Sequence, residues 1–181
     1  MAEIPPVCDF GWQAKEFNLP SVDGKKYTLE EVSGANGLLI MFICNHCPYV
    51  IHYHSEIQKI DKDYKDQINM VAISSNDIDN YPQDGPQHMQ DLWKELGLSY
   101  PYIFDETQMV AKAYKAECTP EFYLFDNNRK LVYRGRLDES SPNSAILPSG
   151  KDLRDAIENL LNEREISLEQ FPSMGCNIKW K

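Results

Sequence analysis

Residues 38–43, Leu-Leu-Ile-Met-Phe-Ile, form an unbroken apolar run, long enough for a strand buried on both faces. After Pro48 the apolar positions Val50, Tyr53, Ile57, Ile60 and Tyr64 recur at spacings of 3, 4, 3 and 4, the stripe of an amphipathic helix. A second apolar run, residues 68–73, follows closely. The pattern thus predicts a strand over about 37–43, a helix over about 47–66 and a second strand, a β-α-β unit that must be parallel and right-handed. Upstream, polar and apolar residues alternate on either side of Asp23-Gly24, a hairpin turn signal that predicts a small two-stranded flap.

Further along, residues 76–86 are dense in Asn, Asp, Pro and Gly and read as a surface loop. Met89, Leu92, Trp93 and Leu96 then give a helix one apolar face, and Gly97 is placed to end it in the left-handed conformation. Residues 100–104 form a short edge strand, because Pro101 has no N–H for a ladder. Asp105 with Gln108 suggests a capped helix carrying Val110, Ala111 and Tyr114 inward. Two strands, 121–125 and 131–133, are joined by Asp126-Asn127-Asn128-Arg129 and pair as an antiparallel hairpin. Residues 142–150 are another loop, and Ser149 is placed to cap a last helix with Leu153, Ile157, Leu160 and Leu161 inward. No internal repeat is visible. The expected organisation is one domain over 1–181, irregular over 1–15, with a docked tail over 171–181.

At 181 residues the chain can bury enough surface to fold without disulfide staples, which leaves its cysteines free for chemistry. Five Cys is an odd number, and the first residues carry neither a basic nor an apolar signal region. No run of eighteen apolar residues is present to span a bilayer. The default location is cytoplasmic, where the thiol pool would hold the cysteines reduced. A formal net charge of -10 repels phosphate backbones, so nucleic acid is not an expected partner. A membrane is not one either.

The chemistry concentrates in Cys44-Asn45-His46-Cys47-Pro48, where the first strand ends and its helix begins. Cys44 is placed near a helix N-terminus, whose free N–H groups and dipole favour a thiolate. Cys47 lies three residues before Val50 and shares the buried stripe. One sulfur is therefore expected to be presented and the other held back, an attacker and a resolver for thiol-disulfide exchange. A zinc site would need a second close pair, and Cys8, Cys118 and Cys176 are isolated. Haem attachment needs His directly after the second Cys, where Pro48 stands.

This order of elements, with the dithiol at the first strand-helix junction and Thr119-Pro120 before the terminal hairpin, resembles the thioredoxin fold. The resemblance implies an α/β three-layer sandwich, a mixed central sheet with helices on both faces, here with an N-terminal hairpin extension and a helical insertion. It also implies that Pro120 is a cis-proline facing the dithiol. Over about 10–181 the chain is similar to the peroxiredoxin-like branch of the redoxin group, related to alkyl hydroperoxide reductases and thiol-specific antioxidants. Residues 45–50, Asn-His-Cys-Pro-Tyr-Val, and the closing 175–180, Gly-Cys-Asn-Ile-Lys-Trp, carry that likeness. The chain departs from both patterns. Peroxiredoxins have a Thr three residues before the peroxidatic Cys, and Met41, which cannot donate a hydrogen bond, stands there; they also have an Arg near the late strand, roughly where Thr119-Pro120 falls. Thioredoxins have a Trp before the first Cys and a buried carboxylate six residues before it, where this chain has Ile43 and Leu38.

The function these residues indicate is a thiol-disulfide oxidoreductase using Cys44 and Cys47, with Thr119 and Pro120 opposite them and no bound cofactor or metal. Its partners would be a disulfide substrate and an electron-donor thiol system of thioredoxin or glutathione type. One rival is a thiol peroxidase, with Cys44 attacking a peroxide and Cys47, Cys118 or Cys176 resolving the sulfenic acid. Another is a redox-sensing or metal-holding module. His46 is expected to stabilise the Cys44 thiolate. Cys118 is a candidate third thiol or a packing residue, and Cys176 belongs to a tail expected to dock through Met174, Ile178 and Trp180. Cys8 is read as incidental, and His52, His54 and His88 receive no role.

Overall fold

The computed structural model describes residues 2–3 and 10–181; Cys8 lies outside the described residues. In chain order the elements are β1 (Ala2–Glu3), β2 (Asn18–Pro20), β3 (Lys26–Thr28), α1 (Leu29–Val32), β4 (Leu38–Phe42), α2 (Pro48–Tyr64), β5 (Asn69–Ser74), α3 (Pro86–Leu96), β6 (Tyr102–Phe104), α4 (Met109–Tyr114), β7 (Cys118–Thr119), β8 (Glu121–Phe125), β9 (Leu131–Gly135), α5 (Lys151–Leu161) and β10 (Gly175–Asn177).

The central sheet runs β6-β5-β4-β8-β9, with β4, β5 and β6 parallel and β8 and β9 antiparallel to their neighbours. β4 is central, and all five of its residues are buried. Its two faces feed two separate cores. Leu39 and Met41 join Met70, Ala72, Phe122 and Leu124 beneath α2, α3 and α5. Leu38, Ile40 and Phe42 join Val71, Ile73, Tyr123 and Phe125 beneath α1, α4 and the N-terminal segment. Strands covered on both faces read as continuous apolar runs although their side chains still alternate. The three-layer architecture of the thioredoxin fold is thus the observed one.

α2 packs through its stripe, with Val50, Tyr53, Ile57, Ile60 and Tyr64 all buried. Burying each such side chain stabilises the fold by about 1.5–3 kcal/mol. α3 ends at Gly97, whose φ of 61° is left-handed and whose N–H reaches the carbonyls of Trp93 and Lys94. The flap forms between β2 and β3, and β6 is the sheet edge.

Several local expectations are corrected. Gln108, in the left-handed conformation, and not Asp105 directly precedes α4, but the Asp105 carboxylate still accepts from Ala111 N–H in the first turn of the helix and from Ser75. Ser149 does not cap α5. Gly150 precedes the helix in the left-handed conformation, and Asp138 receives the N–H groups of Ser149 and Gly150 from across the loop. Part of the stretch expected to be irregular pairs, since β1 lies antiparallel to β10. In the tail Ile178 is buried, but Met174 and Trp180 are exposed, because backbone pairing of β10 with β1 and β7 holds that segment. No helix among the described residues is long and apolar enough to cross a membrane.

Candidate active site

β4 ends at Phe42 and α2 starts at Pro48, so the dithiol spans the turn between the central strand and its helix. Pro48 suits the first helical position, where no N–H is required, and Cys47 is the residue before it. Opposite stands the Thr119-Pro120 bond, which is cis, as the resemblance implied. Thr119 touches both sulfurs: its hydroxyl lies 3.3 Å from Cys44 Sγ, and its carbonyl accepts from Cys47 Sγ at 3.0 Å.

The expectation of one presented and one hidden sulfur does not hold. Cys44 is 1% exposed and Cys47 0%. What closes over Cys44 is residues 76–85, expected to be a surface loop. Asn76, Asp77 and Asp84 are buried, and a turn of 3-10 helix, Pro82–Asp84, places the last of them beneath the dithiol loop. One oxygen of Asp84 accepts from the N–H groups of Asn45, at 2.8 Å, and His46, at 3.2 Å. The other meets His46 Nδ1 at 2.5 Å and Asn76 Nδ2 at 2.8 Å. The loop N–H groups expected to support a thiolate are therefore committed to a carboxylate. Short Asx side chains in a turn-rich stretch signal loop formation equally well whether the loop faces water or folds inward, so the role of Asp84 was not readable from its neighbours.

Both sulfurs meet Thr119, each shifts the titration of the other, and the thiol pair titrates as a unit. The hydrogen bond from Cys44 is the main cause holding Cys47 low, at about 5, against burial, with a lesser hydrogen bond from Cys176. Cys44 is pushed well up by the same hydrogen bond, by burial and by the Asp84 charge, against the Thr119 hydroxyl. This reverses the expectation of an acidic Cys44. The contacts with Thr119 favour the other placement of the shared proton: a carbonyl 3.0 Å from Cys47 Sγ holds an S–H there, and a hydroxyl can donate to a charged Cys44. The pair as a whole gives up its first proton readily and its second with difficulty.

His46 lies in the dithiol loop but is directed at Asp84, and its ring stacks on Tyr81 with 5.5 Å between centroids and 8° between planes. Its polar contact is with the carboxylate and not with either sulfur. Cys118 does not face the dithiol. Adjacent to Thr119 in β7, it points the other way, is fully buried, and its thiol is pushed far up by burial and by the Glu121 carboxylate. Cys176, by contrast, sits opposite Thr119 in the β7-β10 ladder and packs against the core cluster that holds Cys47. All four described cysteines are free thiols.

Cys44, His46 and Asp84 bring potential metal-ligand atoms within 4.8 Å of one another. Each Asp84 oxygen already receives two N–H donors, so a metal would have to displace loop bonds. Arg134, a cation near this pole, is bonded to Glu121 at 2.6 Å and to the carbonyl of Lys115. A cavity of about 890 Å³ opens at the opposite pole, lined by Asn36, Lys130 and Leu161 among others, away from the sulfurs.

A thioredoxin-like sheet with a free dithiol at its first strand-helix junction and a cis-proline facing it defines a redoxin-type thiol protein. Residues 10–147 match the Redoxin family, and the chain belongs to that family. An uncharacterized conserved protein from Geobacillus kaustophilus is 46% identical, with a TM-score of 0.97 over 100% of this chain and 97% of that one. A hypothetical protein, SMc02350, from Sinorhizobium meliloti 1021 is 38% identical, with a TM-score of 0.95 over 98% of each chain. The thiol-disulfide oxidoreductase YkuV of Bacillus subtilis (strain 168) is 24% identical over 123 residues, 62% of this chain and 79% of that protein.

Proposed function

We propose that this redoxin is a thiol-disulfide oxidoreductase working through Cys44 and Cys47. The observation that carries the reading is the placement of two free thiols against Thr119, whose hydroxyl can donate to Cys44 and whose carbonyl accepts from Cys47. When a substrate disulfide reaches Cys44, the shared proton settles on Cys47, seated on the Thr119 carbonyl, and Cys44 attacks as the thiolate. The substrate sulfur that leaves carries the electron pair and takes a proton from solvent. Cys47 then attacks Cys44 in the mixed disulfide, which releases the second substrate thiol and leaves a Cys44–Cys47 disulfide. A donor thiol system of thioredoxin or glutathione type restores the pair. Cytoplasmic residence is part of this proposal, because a reducing pool would keep the dithiol ready.

The name of the Bacillus subtilis relative supports disulfide exchange. Met41, at the position where a peroxidase has its Thr donor, weighs against the peroxidase alternative. A disulfide reductase assay beside a peroxide consumption assay on one preparation tests the proposal. Turnover of disulfide, abolished in Cys44→Ser and stalled as trapped mixed disulfide in Cys47→Ser, is the expected outcome. Peroxide consumption with no disulfide turnover would replace it with the peroxidase reading.

A further inference from the structure

Cys176 has no part in the exchange just described, yet it packs against the cluster that holds both of its sulfurs. β10 runs antiparallel to β7 with Cys176 opposite Thr119, the residue whose carbonyl accepts from Cys47. Cys176 packs against the core cluster that holds Cys47, and each thiol shifts the titration of the other. This approach requires Gly175: a Cβ there would stand 2.0 Å from the Thr119 carbonyl oxygen and 2.6 Å from its carbon, both backbone atoms. Only a residue without a side chain lets β10 lie so close to the Thr119-Pro120 turn. The exposures then matter. Cys44 and Cys47 are closed off from solvent, whereas Cys176 is only half-buried.

We propose that Cys176 is a third exchange-active thiol, which attacks Cys47 in the oxidised Cys44–Cys47 pair and carries the disulfide outward as Cys47–Cys176. The proposal rests on the disulfide-exchange reading above and extends it to the route by which the enzyme is reduced. In the step, Cys176 loses its proton, its sulfur bonds to Cys47 Sγ, and the Cys44–Cys47 bond breaks with its electron pair on Cys44, which takes up a proton. No net oxidation occurs. A donor thiolate then attacks Cys176 at the surface, Cys47 leaves as the thiolate, and a second donor thiol releases Cys176 from the mixed disulfide.

The chemistry also sets the timing. In the reduced protein the Cys176 thiol is pushed up to about 11 by burial first, then by the hydrogen bond to Cys47 and the charge it carries. A Cys47 locked in a disulfide has neither S–H nor charge, so two of these causes vanish on oxidation. Cys176 thus becomes a better nucleophile only when there is a disulfide for it to attack.

The test uses the full chain in a Cys8→Ser background, oxidised with oxidised glutathione, blocked with N-ethylmaleimide at low pH, digested and mapped by mass spectrometry. Both Cys44–Cys47 and Cys47–Cys176 peptides should be found, and Cys44→Ser protein should contain Cys47–Cys176 alone. Stopped-flow reduction of the oxidised protein by glutathione should slow about tenfold in Cys176→Ser as the accessible target is lost, with an unchanged thermal midpoint excluding a merely structural effect. Complete alkylation of Cys176 in protein that has fully formed Cys44–Cys47, with an unaltered reduction rate in Cys176→Ser, would overturn the proposal and leave the exchange function standing. Failure of Cys44–Cys47 to form at all would instead remove the function on which it rests.

Discussion

Asp84→Asn separates the charge of the buried carboxylate from its scaffold role. The Asp84 oxygen and Cys44 Sγ lie within 4.8 Å, and two unit charges at that distance repel by about 3.5 kcal/mol at an effective dielectric constant of about 20. His46, bonded to the same carboxylate, offsets part of this, which leaves about 1–2 kcal/mol acting against a Cys44 thiolate. Removing the charge stabilises the thiolate and hence the reduced form, so the dithiol should become more oxidising by about 20–40 mV. The scaffold cost is separate. Asparagine keeps one acceptor for the amides of Asn45 and His46, but its NH₂ confronts Asn76 Nδ2, which costs about 1–3 kcal/mol of stability. Glutathione redox titration reads the first effect and thermal unfolding of the reduced protein reads the second. A potential that is unchanged or lower, in protein that still folds, would refute the electrostatic argument.

Replacing His46 with Leu removes the ring partner of the Asp84 carboxylate while the Asn45, His46 backbone and Asn76 donors stay, and should move the potential the opposite way, toward more reducing, in the same titration. Thr119→Val removes the hydroxyl 3.3 Å from Cys44 Sγ; loss of a hydrogen bond to a charged group, about 1.5–3 kcal/mol, should slow alkylation of the dithiol at neutral pH without unfolding the protein. Asp138 is held below the usual carboxylate range because hydrogen bonds from Ser140, Ser149 and Gly150 outweigh its burial. Its contribution is present above the unfolded value, about 3.9, and is lost as pH falls through the lower folded value, so Asp138→Asn should flatten the acid limb of a melting-temperature profile below about pH 4. In the core, Ile57→Ala on α2, whose parent side chain is 2% exposed, should cost about 2–5 kcal/mol in denaturant unfolding.

The sheet, the helices and the dithiol were legible along the chain because their signals are local. Apolar runs mark β4 and β5, a 3-4 spacing marks α2, and two cysteines flanking a helix start mark the chemistry. Cys44, Cys47, Thr119 and Pro120 come together as the resemblance to the thioredoxin fold implied. The start of α5 was misread for the converse reason: Asp138 takes the N–H groups of the turn before that helix from across a loop, which sequence spacing does not reveal. The electrostatics of the site were also decided in three dimensions. Asp84 reaches the dithiol loop from nearly forty residues away, takes the amide donors and turns His46 toward itself, and the ladder between β7 and β10 brings Cys176 onto Cys47. A sulfur's identity is written in the chain, but its charge depends on which donors, acceptors and water remain near it, and only the packed fold determines that.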